Sequence, residues 1–316
     1  MRRNTSQSSL RSLGAYVSFE QLASFYLLTK QLPLKQNINA LSQLAGPYKT
    51  KLRGRGIEFE DVRPYQMGDD IRTIDWRVSA RSGHTYTKQF CEEKERQVFI
   101  ILDQRQHMFF GSQNAMKSVL AADIAAMLAW AAFHNGDRVG GLVFNDERQE
   151  SIRPKRQRNT LLSFINKIVE YNHQLKSFKP VPEYSINQVL LEIQRLAKPG
   201  TQIYFITDGF DINDESSGYL HHIARHCECV LLRPVDPLDE HLPVKGRFHV
   251  SDGEKTAFFN ANNQKTQTDY HEQSRAFSHQ LKGLLGQHFI PMIPVSTADE
   301  PLTVLHQYFS TSRRGK

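Results

Sequence analysis

Two aspartates each close an apolar run. Val98-Phe99-Ile100-Ile101-Leu102 leads into Asp103, and Thr201 to Thr207 leads into Asp208. Continuous apolar runs of this length are expected of strands buried on both faces. Carboxylates at neighbouring strand ends can bind a hard cation, directly or through water. Buried without a cation they repel, and one tends to take up a proton. Ser185, read as a helix N-cap, is a third contributor that lies between them in the sequence.

Regular elements must bring these residues together. A helix from Ser18 to Gln31 carries Phe19, Leu22, Ala23, Tyr26 and Leu27 at helical spacing, with Ser18 as its N-cap and Pro33 as its stop. Tyr86 to Phe90 reads as a strand. After Asp103 comes a helix with Leu120, Ile124, Leu128 and Ala131 on one face, then a turn at Asn135-Gly136-Asp137. Arg138 to Phe144 is a strand in which Gly140 and Gly141 allow close packing. Helices follow at Asn159 to Tyr171 and Ile186 to Leu196. Past Asp208 come a helix from Ser216 to His226 and a strand from Cys229 to Leu232 that stops at Arg233-Pro234. A hairpin (Phe248 to Ser251 with Thr256 to Asn260), a helix (Thr268 to Leu285), a strand (Phe289 to Pro294) and a helix (Glu300 to Phe309) complete the chain. Strands alternating with helices imply an α/β fold with a mostly parallel sheet covered on both faces. Right-handed crossovers then give a doubly wound, Rossmann-like layout. In such sheets ligands sit outside the carboxyl ends of the strands, at the switch point, which is where Asp103 and Asp208 belong.

Bulk properties narrow the classes. The 316 residues can bury a core without covalent staples. A net charge of +7 favours acidic partners without choosing among nucleic acid, anionic membrane and protein. Cys91, Cys227 and Cys229 form no disulfide framework, so a reducing, cytoplasmic setting is expected. The N-terminus is polar and serine-rich, without the apolar core of a signal peptide. The longest apolar stretch, Val119 to Phe133, is short and carries Asp123, so it reads as a core helix and not a membrane span. No Gly-x-x-x-x-Gly-Lys loop is present, so the chain should not hydrolyse ATP itself, and no Gly-x-Ser-x-Gly elbow appears. His221, His222 and His226 beside Cys227 and Cys229 match metal-ligand spacings poorly and read as a surface helix end. Arg153-Pro154-Lys155-Arg156-Gln157-Arg158 reads as a solvated loop and helix start; contact with phosphates is the alternative.

The most specific text is upstream. It runs Gly54-Arg55-Gly56-Ile57-Glu58-Phe59, Arg63-Pro64-Tyr65, Gly68-Asp69-Asp70-Ile71-Arg72-Thr73-Ile74-Asp75-Trp76 and Ser79-Ala80-Arg81-Ser82-Gly83. Gly68 supports a tight turn, and Asp69 or Asp70 can cap a short helix. Arg63, Arg72, Arg77 and Arg81 interleave with Glu58, Asp61, Asp70 and Asp75. One reading is a salt-bridged platform anchored by Ile71, Ile74 and Trp76; the other is a docking surface for a partner. No nucleophile–base pair is in view. This ordered string resembles the signature of the bacterial family called domain of unknown function 58, in which such a segment precedes a von Willebrand factor A-like domain. The resemblance runs from about Leu44 to Asp208 and more loosely to the C-terminus. It divides the chain into a basic lead and helix (1–45), the Arg/Asp-rich segment (46–95), the von Willebrand factor A-like domain (96–311) and a basic tail (312–316).

That resemblance carries expectations for the aspartates. Ile206-Thr207-Asp208-Gly209, paired with an earlier strand-end aspartate, is similar to the von Willebrand factor A fold, which bears a metal-ion-dependent adhesion site. The family's first loop there reads Asp-x-Ser-x-Ser; this chain reads Asp103-Gln104-Arg105-Gln106-His107, and both serines are gone. Ser185 would take the family's threonine position and Asp208 the later aspartate. Serine hydroxyls coordinate Mg²⁺; an arginine cannot. The expectation is therefore a degenerate, metal-free cluster in which the Arg105 guanidinium bridges Asp103 and Asp208. A weakened Mg²⁺ site and an unrelated active site are the alternatives. For the whole chain the residues lead to the expectation of a non-enzymatic adaptor without a cofactor, and the resemblance implies its protein partner, a MoxR-type AAA+ ATPase, in chaperone-like assembly or stress functions. Nucleic-acid binding through the basic clusters and tail residues Arg313 and Arg314, and metal-dependent hydrolysis at Asp103 and Asp208, are the competing classes.

Overall fold

Side-chain alternation along one central strand sets the architecture. The computed structural model describes residues 11–34, 59–67, 69–71, 74–90, 96–176, 185–243, 245–251 and 256–310. In chain order the elements are α1 (Phe19–Leu28), β1 (Phe59–Pro64), α2 (Trp76–Ser82), β2 (Tyr86–Phe90), β3 (Gln97–Asp103), α3 (Lys117–His134), β4 (Arg138–Phe144), β5 (Gln149–Lys155) and α4 (Arg158–Gln174). They continue with α5 (Ile186–Leu196), β6 (Gln202–Ile206), α6 (Ser217–His226), β7 (Glu228–Val235), α7 (Pro237–Glu240), β8 (Arg247–Ser251), β9 (Thr256–Asn260), α8 (Gln264–Gln287), β10 (Met292–Ser296) and α9 (Pro301–Ser310). They fall into two compact units, Thr50–Arg96 and the remainder.

In the larger unit, Val98, Ile100 and Leu102 of β3 enter one apolar cluster with α1, α3, α4 and α9. Phe99 and Ile101 enter a second cluster with α5, α6 and α8. A strand whose successive residues fill two cores must lie mid-sheet with helices on both faces. The sheet has the order β10-β7-β6-β3-β4-β5 and is parallel except for β5, which pairs antiparallel with β4. The doubly wound α/β layout expected from the sequence is the one observed. From β3 the chain winds to β4 and β5, then returns to build β6, β7 and β10 on the other side. The switch point therefore lies between β3 and β6. Gly141 is needed where α4 crosses β4: a Cβ there would sit 2.6 Å from the Phe164 ring and against the Ile100 carbonyl. The stretch from Val119 lies within α3, which is buried nearly all round, and Trp130 donates to the Leu22 carbonyl at 3.0 Å, fastening α1 to it.

Some boundaries differ from expectation. β7 runs through Arg233-Pro234 to Val235. β6 ends opposite Leu232, so Pro234 has a strand on one side only, at Val295, where a missing N–H is tolerated. The segment Arg153-Pro154-Lys155 is not loop but the end of edge strand β5, whose single strongly apolar residue, Ile152, gave no alternation to read. β10 starts at Met292 and not Phe289, because Phe289 takes a positive φ of 57° that turns the chain after α8.

In the smaller unit β1 and β2 pair antiparallel, and Asp75 N–H bonds the Tyr86 carbonyl at the start of β2. α2 is capped by Asp75, whose carboxylate accepts from the N–H groups of Arg77 and Val78, and not by Asp69 or Asp70. The Asp69 carboxylate instead accepts from Gln66 N–H in a turn, and the Tyr65 hydroxyl donates to the Asp69 carbonyl. Of the three expected anchors only Ile74 is buried; Ile71 and Trp76 are 65% and 68% exposed. The helix turns Val78 and Ser79 inward and leaves Trp76 on the solvent side. Gly54, Gly56, Glu58, Gly68 and Arg72 lie outside the described residues, as do the side chains of Phe59 and Arg63.

Candidate functional site

The β3 and β6 ends deliver Asp103 and Thr207 side by side. Asp103 has no solvent exposure, and its Oδ2 accepts from the Thr207 hydroxyl at 2.8 Å. Its Oδ1 accepts from the backbone N–H of Arg105 at 3.0 Å, a turn that folds the arginine back over the carboxylate. The Arg105 Nη2 then lies 2.7 Å from Asp103 Oδ2, and Nε lies 3.0 and 3.2 Å from the two oxygens. Its outer edge forms a bidentate pair with Asp211 at 2.7 and 2.9 Å. Arg105 thus bridges Asp103 to Asp211, not to Asp208 as the sequence led us to expect. The reason is geometric: Gly209 at φ +76° turns the β6 loop so that Asp211 swings back over the sheet edge. The buried guanidinium also stacks over Phe144 at 5.2 Å.

Asp208 is held by two other cations. Lys117, the first residue of α3, places its Nζ 3.0 Å from Asp208 Oδ2 and 3.3 Å from Asp239. His107 Nε2 lies 3.1 Å from Asp208 Oδ1 and 3.6 Å from Asp103 Oδ2, in the gap between the two aspartates. Arg233 donates to the Asp208 carbonyl at 3.2 Å and to Ser278 Oγ at 2.9 Å. Burial alone would raise the Asp103 carboxyl, but Arg105 and His107 hold it well below the usual carboxylate range. Asp208 is depressed likewise, by His107 and Lys117 against its own burial. Burial works to deprotonate His107, yet Asp208 and Asp103 push it up to about 10, so it is an imidazolium at neutral pH. Two further knots fix the surrounding loops. Asp236 accepts from Ser112 N–H and Oγ, Thr297 Oγ1 and Leu238 N–H at 2.6–2.9 Å. Gln104 donates to the Ser118 carbonyl and accepts from Asn172, whose own oxygen takes the Val17 N–H.

Of the loop residues singled out from the sequence, Asp103, Arg105, His107 and Asp208 converge. Ser185 does not: its hydroxyl caps α5 in a capping box with Gln188, and only the next backbone N–H, of Ile186, reaches the cluster, at Asp211. Lys117, Asp211, Asp239, Thr207 and Arg233 were missed. One signal was available. A lysine in the first turn of an otherwise apolar helix works against the helix dipole and needs a carboxylate close by.

The ligand atoms of Asp103, His107 and Asp208 lie within 4.8 Å of one another, a spacing that can suit a metal. The donor set does not fit Mg²⁺. Asp103 Oδ2 already accepts three hydrogen bonds, Lys117 occupies Asp208 Oδ2, and an imidazole must be neutral to ligate. One serine–histidine contact lies elsewhere among the described residues. Ser217 Oγ lies 2.9 Å from Nε2 of His288, but the buried Nδ1 of that histidine has no partner, so nothing orients the ring as a base. His222 and His226 face each other at 5.1 Å and line an apolar cavity of about 220 Å³ with Cys227, remote in sequence from the β3 loop. Among the described residues no helix is long and apolar enough to cross a membrane.

Comparison with known proteins fixes the family. Residues 61–280 match the family described as protein of unknown function DUF58, and the chain belongs to it. Uncharacterized proteins of Mycobacterium bovis and Mycobacterium tuberculosis are 25% identical over 230 residues, covering 72% of this chain and 70% of theirs. Among solved structures, a conserved hypothetical protein BatB from Bacteroides thetaiotaomicron aligns over 68% of this chain and 97% of its own, with 13% identity and a TM-score of 0.41. An aerotolerance-related membrane protein from Bacteroides fragilis aligns over 68% of this chain and 98% of its own, with 14% identity and a TM-score of 0.37.

Proposed function

We propose that this member of the family works by binding a protein partner and not by catalysis, and that its switch point needs no metal. One observation carries the reading: the place where a doubly wound sheet takes its ligand is filled by the chain's own charges. Asp103, Asp208, Asp211 and Asp239 stand against Arg105, His107, Lys117 and Arg233, four of each sign. A self-neutralised cluster of this kind ties the segments after β3, β6 and β7 into one arrangement and leaves none of its carboxylates free to act as a base. Rigid loops at a sheet edge make a good recognition platform. The partner we propose is the one the family resemblance implies, a MoxR-type AAA+ ATPase in the cytoplasm, with the chain as its adaptor in chaperone-like assembly or stress response.

The test is reconstitution with a MoxR-type AAA+ ATPase from the same cell. A complex that survives chelator and is weakened by Asp103→Ala supports the reading. Metal-stimulated turnover of a generic phosphoester, lost in Asp103→Ala, replaces it with a hydrolase. A salt-dependent shift of DNA or RNA replaces it with nucleic-acid binding.

A further inference from the structure

In the smaller unit, helix α2 presents an unusual face. At 100° per residue, Trp76, Ala80, Arg77 and Arg81 fall within a single arc, and all four are exposed. Val78 and Ser79 lie on the opposite side, where the Ser79 hydroxyl accepts from Tyr86 N–H of β2 at 2.8 Å. The helix is short but firmly ended, by the Asp75 cap at its start and by Gly83 at φ +72° after its last turn. It is therefore held to the β1–β2 ladder by its inner side while the outer side is unsupported. Trp76 is 68% exposed, although an indole is among the largest apolar surfaces a side chain can bury. Arg77 and Arg81 stand four apart, one turn above the other, and neither guanidinium has an ion pair or hydrogen bond among the described residues. The nearest carboxylate in sequence, Asp75, is committed to the two backbone N–H groups of the cap.

We propose that this face, Trp76 with Arg77 and Arg81, is a docking surface for a partner protein segment that carries two carboxylates one helical turn apart beside an apolar side chain. The spacing of the two arginines sets the spacing of the carboxylates. Each planar guanidinium can take a carboxylate bidentately, and the indole covers the apolar residue between them. Tryptophan and arginine are the residue types that most often dominate binding at protein interfaces. Charge speaks for protein over nucleic acid. Residues 50–96 contain ten Lys or Arg and nine Asp or Glu, so the unit lacks the basic surplus that a phosphate backbone demands. The proposal rests on the reading of the chain as an interaction protein, but its test does not use the ATPase.

Trp76 is its own reporter, because the second tryptophan, Trp130, is buried in α3. The full chain is titrated with a synthetic helical peptide bearing glutamates at i and i+4 flanking a leucine, with the same peptide carrying lysines, and with a (dT)20 oligonucleotide. The glutamate peptide should blue-shift the emission saturably at low salt. The shift should vanish in Trp76→Phe, and binding should weaken at least tenfold in Arg77→Glu/Arg81→Glu and less in Arg77→Lys/Arg81→Lys. Unchanged thermal unfolding of the variants separates lost docking from lost folding. A missing shift at millimolar peptide, equal binding by the charge-reversed variant, or tighter binding of (dT)20 overturns the proposal. Failure of the ATPase to bind would overturn the choice of partner without touching this result.

Discussion

Replacing Arg105 with methionine isolates the contribution of the switch-point cluster. The substitution keeps most of the apolar stem over Phe144 but removes five side-chain hydrogen bonds, three to Asp103 and two to Asp211. Asp103 is then a fully buried carboxylate left with the Thr207 hydroxyl, the backbone N–H of residue 105 and the more distant His107. Breaking a buried pair by deleting one partner costs about 3–5 kcal/mol, out of a total of about 5–15 kcal/mol for a folded domain. Arg105→Met should therefore lower stability by about 3–5 kcal/mol at pH 7. Urea unfolding followed by Trp130 emission in a Trp76→Phe background reads the larger unit alone. Asp103→Asn/Arg105→Met should recover about 1–2 kcal/mol, because an amide needs no counter-charge. The sign with pH also follows. A depressed carboxyl contributes stability that is present above its unfolded pKa near 4 and lost as pH falls through its folded value. Without the guanidinium the folded value rises, so acid unfolding should begin at higher pH. A loss below about 1 kcal/mol, with an unmoved acid limb, would refute the view that this cluster is a buried, mutually dependent set.

Three other outcomes follow from the same structure. His107 has a folded pKa of about 10 against about 6.5 unfolded, so its contribution is complete below pH 6.5 and lost as pH rises through 10; His107→Gln should flatten that fall in denaturation curves taken at pH 6, 8 and 10. Asp123, fully buried in α3 and accepting from Ser12 N–H and Oγ at 2.6 and 2.5 Å, is pushed up to about 7 by burial. Its contribution is present below its unfolded value and lost as pH rises through 7, so Asp123→Asn should be at least as stable as the parent at pH 8 and gain nothing at pH 4, by thermal unfolding at both pH values. Gly141→Ala drives a Cβ into the Phe164 ring and the Ile100 carbonyl and should cost about 3 kcal/mol or prevent folding, read by soluble yield and urea midpoint.

What was legible in the sequence was what hydrophobic patterning controls. β3 and β6 are unbroken apolar runs, so their ends, and hence Asp103 and Asp208, could be placed at one edge of one sheet. β1 and β5 were missed because each is an edge strand of a ladder, rich in charge, with no alternation to betray it. The partner of Arg105 was misassigned for a different reason. Asp208 and Asp211 are three residues apart, and only the positive φ of Gly209 decides which of them turns back toward the arginine. Trp76 and Ile71 read as anchors because large apolar residues usually are; a helix of seven residues held by its other side leaves Trp76 in solvent, and Ile71, which precedes that helix, is exposed as well.

The decisive measurement is calorimetric titration of the purified chain with Mg²⁺ and with Mn²⁺, alongside Arg105→Ser/His107→Ser, which places two hydroxyls in the Asp103 loop. If the chain's own cations neutralise Asp103 and Asp208, the parent gives no binding heat and the double variant gains a site that chelator removes. Micromolar binding by the parent, abolished by Asp103→Ala, would contradict the self-neutralised switch point.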